Sequence, residues 1–171
     1  LIRRALRVSR TISAPGRSHA AQATCYRGRT WQWDGISFRV LHPPVAFEGS
    51  DNDRSCALAV SGPGGSALLL ADPEAAAEAE LGSQALAADL VLLPHHGSRS
   101  SSSAELVAAT SARYGIASAG FGNRWGMPAG DIVARWRAQG TTVLVTAEEG
   151  AIRARFSASP GSIEIGTERR D

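Results

Sequence analysis

The stretch of residues 67–98, ALLLADPEAAAEAELGSQALAADLVLLPHHGS, constrains the fold of this chain more than any other. Two short, largely apolar runs at 67–71 and 89–93 have the length of buried strands, and polar residues and proline follow each of them. The residues between them, 73–86, are rich in Ala, Glu and Leu, which are strong helix formers. Strand, helix and strand in this order predict a βαβ unit, whose two strands lie parallel.

Polar side chains follow both predicted strands. Asp72 comes after the first strand, and His95 and His96 come after the second. Because parallel strands end at the same edge of a sheet, where open α/β sheets bind ligands, we expect these side chains to lie close together. Carboxylate and imidazole ligands suit zinc or manganese. Adjacent residues in extended backbone point to opposite faces, so one histidine is expected to be the ligand.

Each part of this pattern has an alternative interpretation. Asp72 followed by Pro73 is also a plain helix start, with Asp as N-cap and Pro at the first helical position. The two histidines could likewise be a hydrogen-bonded loop pair with no ligand. The other histidine could orient the ligand, donate a proton or contact a substrate.

The length and composition favour one globular α/β domain. The chain has 171 residues and is 43% hydrophobic, and no run approaches the roughly 20 apolar residues of a membrane span. We expect a basic, poorly ordered leading segment at 1–22, a folded domain at 23–156 and a polar tail at 157–171. The chain begins at Leu1, without an initiator Met or signal peptide pattern, and looks like a piece of a longer protein.

The flanking sequence predicts further strands and helices. A hairpin is expected at 25–41, with Trp31 and Trp33 packed in the core. After the histidines, a helix is expected at 104–111, with Ser102 and Glu105 as its capping box. A second helix is expected at 131–139, closed by Gly140. Further strands are expected at 55–61, 114–119, 142–146 and 151–156.

The chain resembles the carboxy-terminal half of the metallo-β-lactamase-like domain in the ComEC family of DNA-internalisation competence proteins. The motifs that carry the resemblance extend from about residue 23 to residue 156. They are, in order, CYRGRTWQWDGISFRVLHPP, NDRSCALAVSG, LLLADPEAAAE, LLPHHGSRSSSS and SAGFGNRWGMP.

The resemblance implies an αββα sandwich of the metallo-β-lactamase type, of which this chain is the carboxy-terminal half. It implies metal-assisted phosphodiester hydrolysis of DNA in a complete parent protein of the inner membrane that acts in natural transformation. Asp72, His95 and His96 would be the catalytic and metal-binding residues, with zinc or manganese as the cofactor. Phosphate would be met by Ser98, Arg99, Asn123 and Arg124, in sequence-independent contacts to DNA.

The chain also departs from the family pattern. The principal HxHxDH or HxDxDH cluster is not among these residues, so the site is incomplete. Asn52 and Ser55 fall where other superfamily members carry a histidine, and Ala71 replaces the common glycine before Asp72. Gly126, Met127 and Pro128 stand where a Gly-His-Pro motif is usual, so Met127 takes the place of the histidine. A non-catalytic module that guides DNA to the channel is therefore the alternative, and a small-molecule metallohydrolase is a third one.

Cys25 and Cys56 are the two cysteines of the chain. In a reducing compartment they would be small buried thiols, whereas in an oxidising one they could pair. Both lie at predicted element ends, and the resemblance implies a protein of the cell envelope. We therefore predict a disulfide between them and an extracytoplasmic location for the domain.

Overall fold

The computed structural model describes residues 11–16, 23–157, 159 and 161–168. Its centre is a seven-stranded mixed sheet in which neighbouring strands follow one another along the chain. Most of the predicted leading segment, residues 1–10 and 17–22, lies outside the described residues. The strands of the sheet, in order across it, are β3 (Thr30–Trp33), β4 (Ile36–His42), β5 (Ala57–Gly62), β6 (Gly65–Leu69), β7 (Leu90–Leu92), β8 (Tyr114–Ala117) and β9 (Thr142–Val145).

Two smaller pairs of strands accompany the sheet. The first pair, β1 (Ile12–Ser13) and β2 (Ala23–Thr24), is parallel, and the second, β10 (Ala151–Phe156) and β11 (Ile163–Glu168), is an antiparallel hairpin. Residues 163–168, within the segment expected to be a polar tail, thus form a strand. Ile163 and Ile165 alternate with exposed residues in β11, and this alternation stabilises a half-buried strand.

The first four strands of the sheet form an antiparallel meander. Asp34 and Gly35 join β3 to β4 with positive φ angles of 48° and 77°, as a tight two-residue hairpin turn requires. The predicted hairpin is thus confirmed, but the prediction that both tryptophans are core residues is wrong. Trp31 is half-buried and stacks on Phe38 at a centroid distance of 5.0 Å, whereas Trp33 is 70% exposed.

The last four strands are parallel, as the βαβ prediction requires. Leu69 of β6 pairs with Leu92 of β7, and the connection between these strands contains helix α1 (Ala75–Gly82). The helix begins later and ends earlier than predicted. Its N-cap residue is Glu74, so the alternative in which Asp72 is the N-cap is wrong.

Two longer helices and one single-turn helix complete the chain, and they are α2 (Ala104–Thr110), α3 (Gly130–Ala138) and α4 (Thr146–Glu149). The predicted capping box at Ser102 is wrong, because the N-cap of α2 is Ser103, whose hydroxyl accepts the Leu106 N–H. Ser102 instead has a φ of 63° and its hydroxyl accepts the indole N–H of Trp136 at 3.0 Å.

The core lies between the helices and one face of the sheet. Leu68, Val91 and Val143 point inward from β6, β7 and β9 and pack against buried residues of the helices. The opposite face of the same strands is also apolar. One row of apolar residues on this face is paired in register from strand to strand, and four of its six members are only partly buried. The row consists of Val40, Leu58, Leu69, Leu92, Ile116 and Leu144.

The predicted disulfide between Cys25 and Cys56 is present, with the two Cα atoms 6.2 Å apart. It ties the end of β2 to the start of β5. Within the described ranges, no helix combines the length and apolar character that crossing a bilayer requires.

Candidate functional site

The polar strand ends meet at one edge of the sheet. After β6 the chain reaches Asp72, and after β7 it enters a short turn at Pro94–Gly97 that carries both histidines. The backbone N–H of His95 donates to the carbonyl oxygen of Ala71 at 2.9 Å, which links the two strand ends directly. The sequence prediction that Asp72, His95 and His96 converge is therefore consistent with the structure.

The backbone of the histidine pair is left-handed and not extended. The φ angles of His95, His96 and Gly97 are 48°, 58° and 80°. Glycine is required at position 97, because a Cβ there would lie 2.6 Å from Cβ of Pro128. The two imidazoles still face different carboxylates, His95 that of Glu74 and His96 that of Asp72, but the cause is this turn and not strand alternation.

His96 faces Asp72. Its Nδ1 lies 2.8 Å from the carbonyl oxygen of Ser118, which can only accept, so Nδ1 carries a proton. In the neutral imidazole, Nε2 is then an unprotonated acceptor that lies 3.7 Å from Oδ1 of Asp72. Two acceptors at this distance match a pair of ligands around one cation, since ligating histidines commonly donate their other N–H to a carbonyl.

His95 belongs to a second, separate pair with Glu74. Its Nδ1 lies 3.6 Å from Oε1 of Glu74 and 3.2 Å from Oγ of Ser100, and the Ser100 hydroxyl donates to the same carboxylate oxygen at 3.2 Å. Ser100 and Glu74 therefore both contact Nδ1 of His95. This differs from a serine-histidine-acid triad, in which the acid and the serine occupy opposite nitrogens.

Glu74 is the site residue that sequence reasoning missed. Its signal was the second carboxylate of the DPE motif, two residues after Asp72 at the same strand end. The side-chain amide of Asn52 donates to Glu74 Oε1 at 3.4 Å, and the hydroxyl of Ser55 accepts the Asp72 N–H at 3.1 Å. The loop before β5 therefore supports both acidic residues.

A buried layer beneath Glu74 holds the start of α1 in place. Asp53 Oδ1 accepts the backbone N–H groups of Glu74 and Ala77 at 3.0 and 3.2 Å. The carbonyl oxygen of Asp53 lies 2.6 Å from Nε2 of His42, whose ring is buried. Burial lowers the pKa of His42 below its ordinary value, and the hydrogen bond to Asp53 offsets this in part.

Glu78 of α1 makes a second buried contact behind the site. Its carboxylate accepts the backbone N–H groups of Ser102 and Ser103 and is almost completely buried. Burial raises the pKa of Glu78, and the hydrogen bonds from Ser103 and Ser102 oppose that shift. The contact ties α1 to the segment that follows the histidine turn.

The four residues predicted to meet phosphate have different surroundings. The Ser98 hydroxyl lies 3.1 Å from that of Ser100, and Arg99 forms an exposed ion pair with Asp131 at 3.0 Å. The side-chain amide of Asn123 bonds within its own loop, to Gly120 and Met127. The guanidinium of Arg124 lies 4.5 Å above the Trp125 ring.

Two exposed aromatic residues of a nearby loop were also missed. Phe121 is 90% exposed and Trp125 is 66% exposed, and both lie in the loop between β8 and α3. Trp125 lines a pocket of about 220 Å³ together with His96, Ser118 and Asn123. The signal in the sequence was the placement of aromatic residues among glycines and an arginine in AGFGNRWG.

The donors fit only part of a metal centre. Asp72 and His96 could supply two ligands, whereas zinc sites have at least three from the protein. Across the part of the chain that the structure describes, no group of three or more His, Cys, Asp or Glu residues could hold an ion.

The fold and this edge together define an α/β protein with a polar site at the carboxyl ends of parallel strands. No family model matches the chain. It is 35% identical over 137 residues to the uncharacterized protein YcaI of Escherichia coli K12, a match covering 78% of this chain and 18% of that protein. It is 33% identical over 147 residues to competence protein ComA of Neisseria gonorrhoeae, covering 81% and 21% respectively.

A third relative is recombination protein 2 of Haemophilus influenzae, which is 32% identical over 132 residues, covering 77% of this chain and 17% of that protein. The chain belongs to the ComEC family, as its motifs predicted. It spans about a fifth of the length of the curated relatives it matches.

Proposed function

We propose that this chain is part of a protein that takes up DNA, and that the edge carrying Asp72, His95 and His96 faces the DNA. The relative named as a competence protein supports this role. DNA and the remainder of a parent membrane protein are then its partners. Exposed Arg99 and Arg124 flank the edge and would contact phosphate independently of base sequence.

We further propose that the sheet is the carboxy-terminal half of a metallo-β-lactamase-like αββα sandwich. The apolar row on the sheet face opposite the helices supports this arrangement. Four leucines of this row remain partly exposed, namely Leu58, Leu69, Leu92 and Leu144. The first three are paired directly in register, and Ile116 lies between Leu92 and Leu144. A second layer packed on this face would bury them, as a sandwich requires.

In the complete protein, the proposed activity is metal-dependent phosphodiester hydrolysis with zinc or manganese. The observation that carries this proposal is the orientation of His96, whose Nδ1 is held by Ser118 while Nε2 faces Asp72 at 3.7 Å. Asp72 and His96 would hold the ion together with ligands from outside the described residues. His95, bonded to Glu74 and Ser100, would lie beside the ion and not bind it.

A DNA-guiding module without catalysis is the second candidate. The observation that favours it concerns Asn52, which takes the place of a histidine and donates to Glu74. An amide that donates to a neighbouring carboxylate turns its N–H₂ group, which cannot bind a metal ion, towards the site.

We also propose that the domain lies on the extracytoplasmic side of the inner membrane. The disulfide between Cys25 and Cys56 supports this location. Disulfides persist in oxidising compartments and are rare in the cytosol.

The test uses the complete protein in a naturally transformable host. Asp72→Ala and His96→Ala should each lower transformation frequency and the zinc or manganese content of the purified protein. Glu164→Ala is the matched control, because this carboxylate is exposed on β11 and pairs with Arg155. If the variants lower transformation frequency but the unaltered protein contains no zinc or manganese, the result would favour the non-catalytic DNA-guiding module. Normal transformation in both variants would contradict a role for this edge.

A further inference from the structure

The loop between β8 and α3 exposes two large aromatic rings to solvent. Phe121 and Trp125 are 90% and 66% exposed, so burial in the core explains neither. Both lie within five positions of one another, beside a strand end that carries polar residues. Two large exposed aromatic side chains in one loop indicate a contact surface, whereas single exposed apolar residues scattered over a surface need no explanation.

Hydrogen bonds hold the backbone of this loop in place. The Asn123 amide donates to the carbonyl oxygens of Gly120 and Met127 at 2.9 and 2.6 Å, and its oxygen accepts the Met127 N–H at 3.0 Å. The start of the loop is tied to α4, because the Ala119 N–H donates to the Thr146 hydroxyl at 2.8 Å. A preorganised loop loses little conformational entropy when a ligand binds to it.

The loop also adjoins the candidate site. Ser118 accepts the Nδ1–H of His96, and Trp125 and His96 line the same pocket. A ligand that contacts Trp125 is therefore next to the Asp72–His96 pair.

The charge beside the rings identifies the class of ligand. The Arg124 guanidinium lies 4.5 Å above Trp125, and Arg99 lies beyond the histidine turn. Flat apolar rings next to guanidinium groups match a chain of bases joined by phosphates. Aromatic rings also occur in membrane-surface loops, but the proposed role in DNA uptake favours a nucleic acid over a lipid surface.

We propose that Phe121 and Trp125 stack on unpaired bases of a single-stranded nucleic acid whose backbone passes the Asp72–His96 edge. This inference rests on the proposed role in handling DNA and adds that the strand is held through its bases. Bases within a duplex are already stacked on one another, so this surface selects unpaired strands.

The test compares three probes with the 171-residue chain by fluorescence anisotropy or co-sedimentation. The probes are an oligothymidine of about 16 nucleotides, an abasic oligomer of the same length, and vesicles of phosphatidylglycerol and phosphatidylethanolamine. The variants are Phe121→Ala and Trp125→Ala. Trp33→Ala is the matched control, because Trp33 is equally exposed but lies near the Gly62–Gly65 turn, at the opposite end of the sheet from Asp72.

Each loop variant should weaken oligothymidine binding by about tenfold, as the loss of one stacked base does, with little change for the abasic oligomer. Trp33→Ala should bind as the unaltered chain does, and oligothymidine should quench the tryptophan fluorescence of the unaltered chain more than that of the Trp125→Ala variant. Equal affinity for the abasic oligomer, or loop variants that bind oligothymidine normally, would overturn stacking while leaving the DNA role intact.

Two further outcomes would contradict the stacking proposal in different ways. If the loop variants lose binding to vesicles and not to oligothymidine, the loop is a membrane contact and the stacking proposal is wrong. If the unaltered chain binds neither oligomer, both the stacking proposal and direct DNA contact by this chain are contradicted.

Discussion

The Glu78 carboxylate accepts the backbone N–H of Ser103 at 2.7 Å, across the interface between α1 and the start of α2. Ser102 donates its N–H to the same carboxylate. The second helix is therefore positioned by a side chain of the first, and the chain between them carries the histidine turn.

Glu78→Ala should lower the free energy of unfolding by about 2 to 4 kcal/mol, because two backbone N–H groups at a buried position lose their acceptor. Urea denaturation measures this change. Glu80→Ala is the control on the same helix, since Glu80 forms a surface ion pair with Arg27 and its removal should cost less than about 1 kcal/mol. Equal effects of the two substitutions would contradict the special role of Glu78.

Stability should fall on mild acidification because of His42. Burial lowers the pKa of His42 from its ordinary value of 6.5, so the unfolded chain binds the proton more readily than the folded chain. The stability that the uncharged His42 ring contributes is fully present above pH 6.5. It is lost as the pH falls from 6.5 towards the lower pKa of His42 in the folded chain. The variant His42→Gln, which keeps a donor for the Asp53 carbonyl, should flatten this slope in urea titrations at successive pH values. An unchanged slope would remove His42 as its source.

Reduction of the disulfide should destabilise the domain. The bridge joins residues 31 positions apart, and closing a loop of that length contributes about 3 to 4 kcal/mol on the chain-entropy model. A Cys25→Ala, Cys56→Ala double variant should match the reduced protein in its urea midpoint. If reductant leaves the midpoint of the unaltered chain in place, the bridge contributes no stability.

Ala71→Gly should stabilise the protein by about 0.5 to 1 kcal/mol. Ala71 has a φ of 60°, a left-handed conformation that costs an L residue about 1 to 2 kcal/mol and glycine almost nothing. Glycine at this position would relieve that strain. Ala75→Gly, in the first turn of right-handed helix α1, is the control and should destabilise by a similar amount. Destabilisation by both substitutions would refute strain at Ala71.

Binding of single-stranded DNA should weaken with salt through Arg99 and Arg124. Each charge reversal, Arg99→Glu or Arg124→Glu, should reduce the slope of log affinity against log salt by about 0.7, as loss of one phosphate contact does. Arg155→Glu is the control, because Arg155 is equally exposed and ion-paired but lies on β10. A salt slope that neither site variant changes would exclude both arginines from phosphate contact.

The sequence predicted the edge of the sheet better than the details of its chemistry. The βαβ pattern correctly placed Asp72 and His96 together, because the length and direction of the strands follow from the local pattern of apolar residues. Glu74 was missed because its position depends on Asp53, which caps α1 from a loop about twenty residues earlier. The cap of α2 shifted from Ser102 to Ser103 because Trp136 and Glu78, distant in sequence, bind Ser102.

The order of strands in the large sheet has a consequence for how the domain folds. Each strand from β4 to β8 pairs with the strand before it and the strand after it along the chain, and β3 and β9 form the two edges of the sheet. The hairpin pairings from β3 to β6 need little loop closure, whereas each parallel pairing from β6 to β9 waits for a crossover of about 20 to 30 residues and forms more slowly. A chain that emerges from its amino end can add one strand at a time to a growing edge. The ordered assembly places the β6 and β7 ends, which carry Asp72 and His96, in the middle of that process.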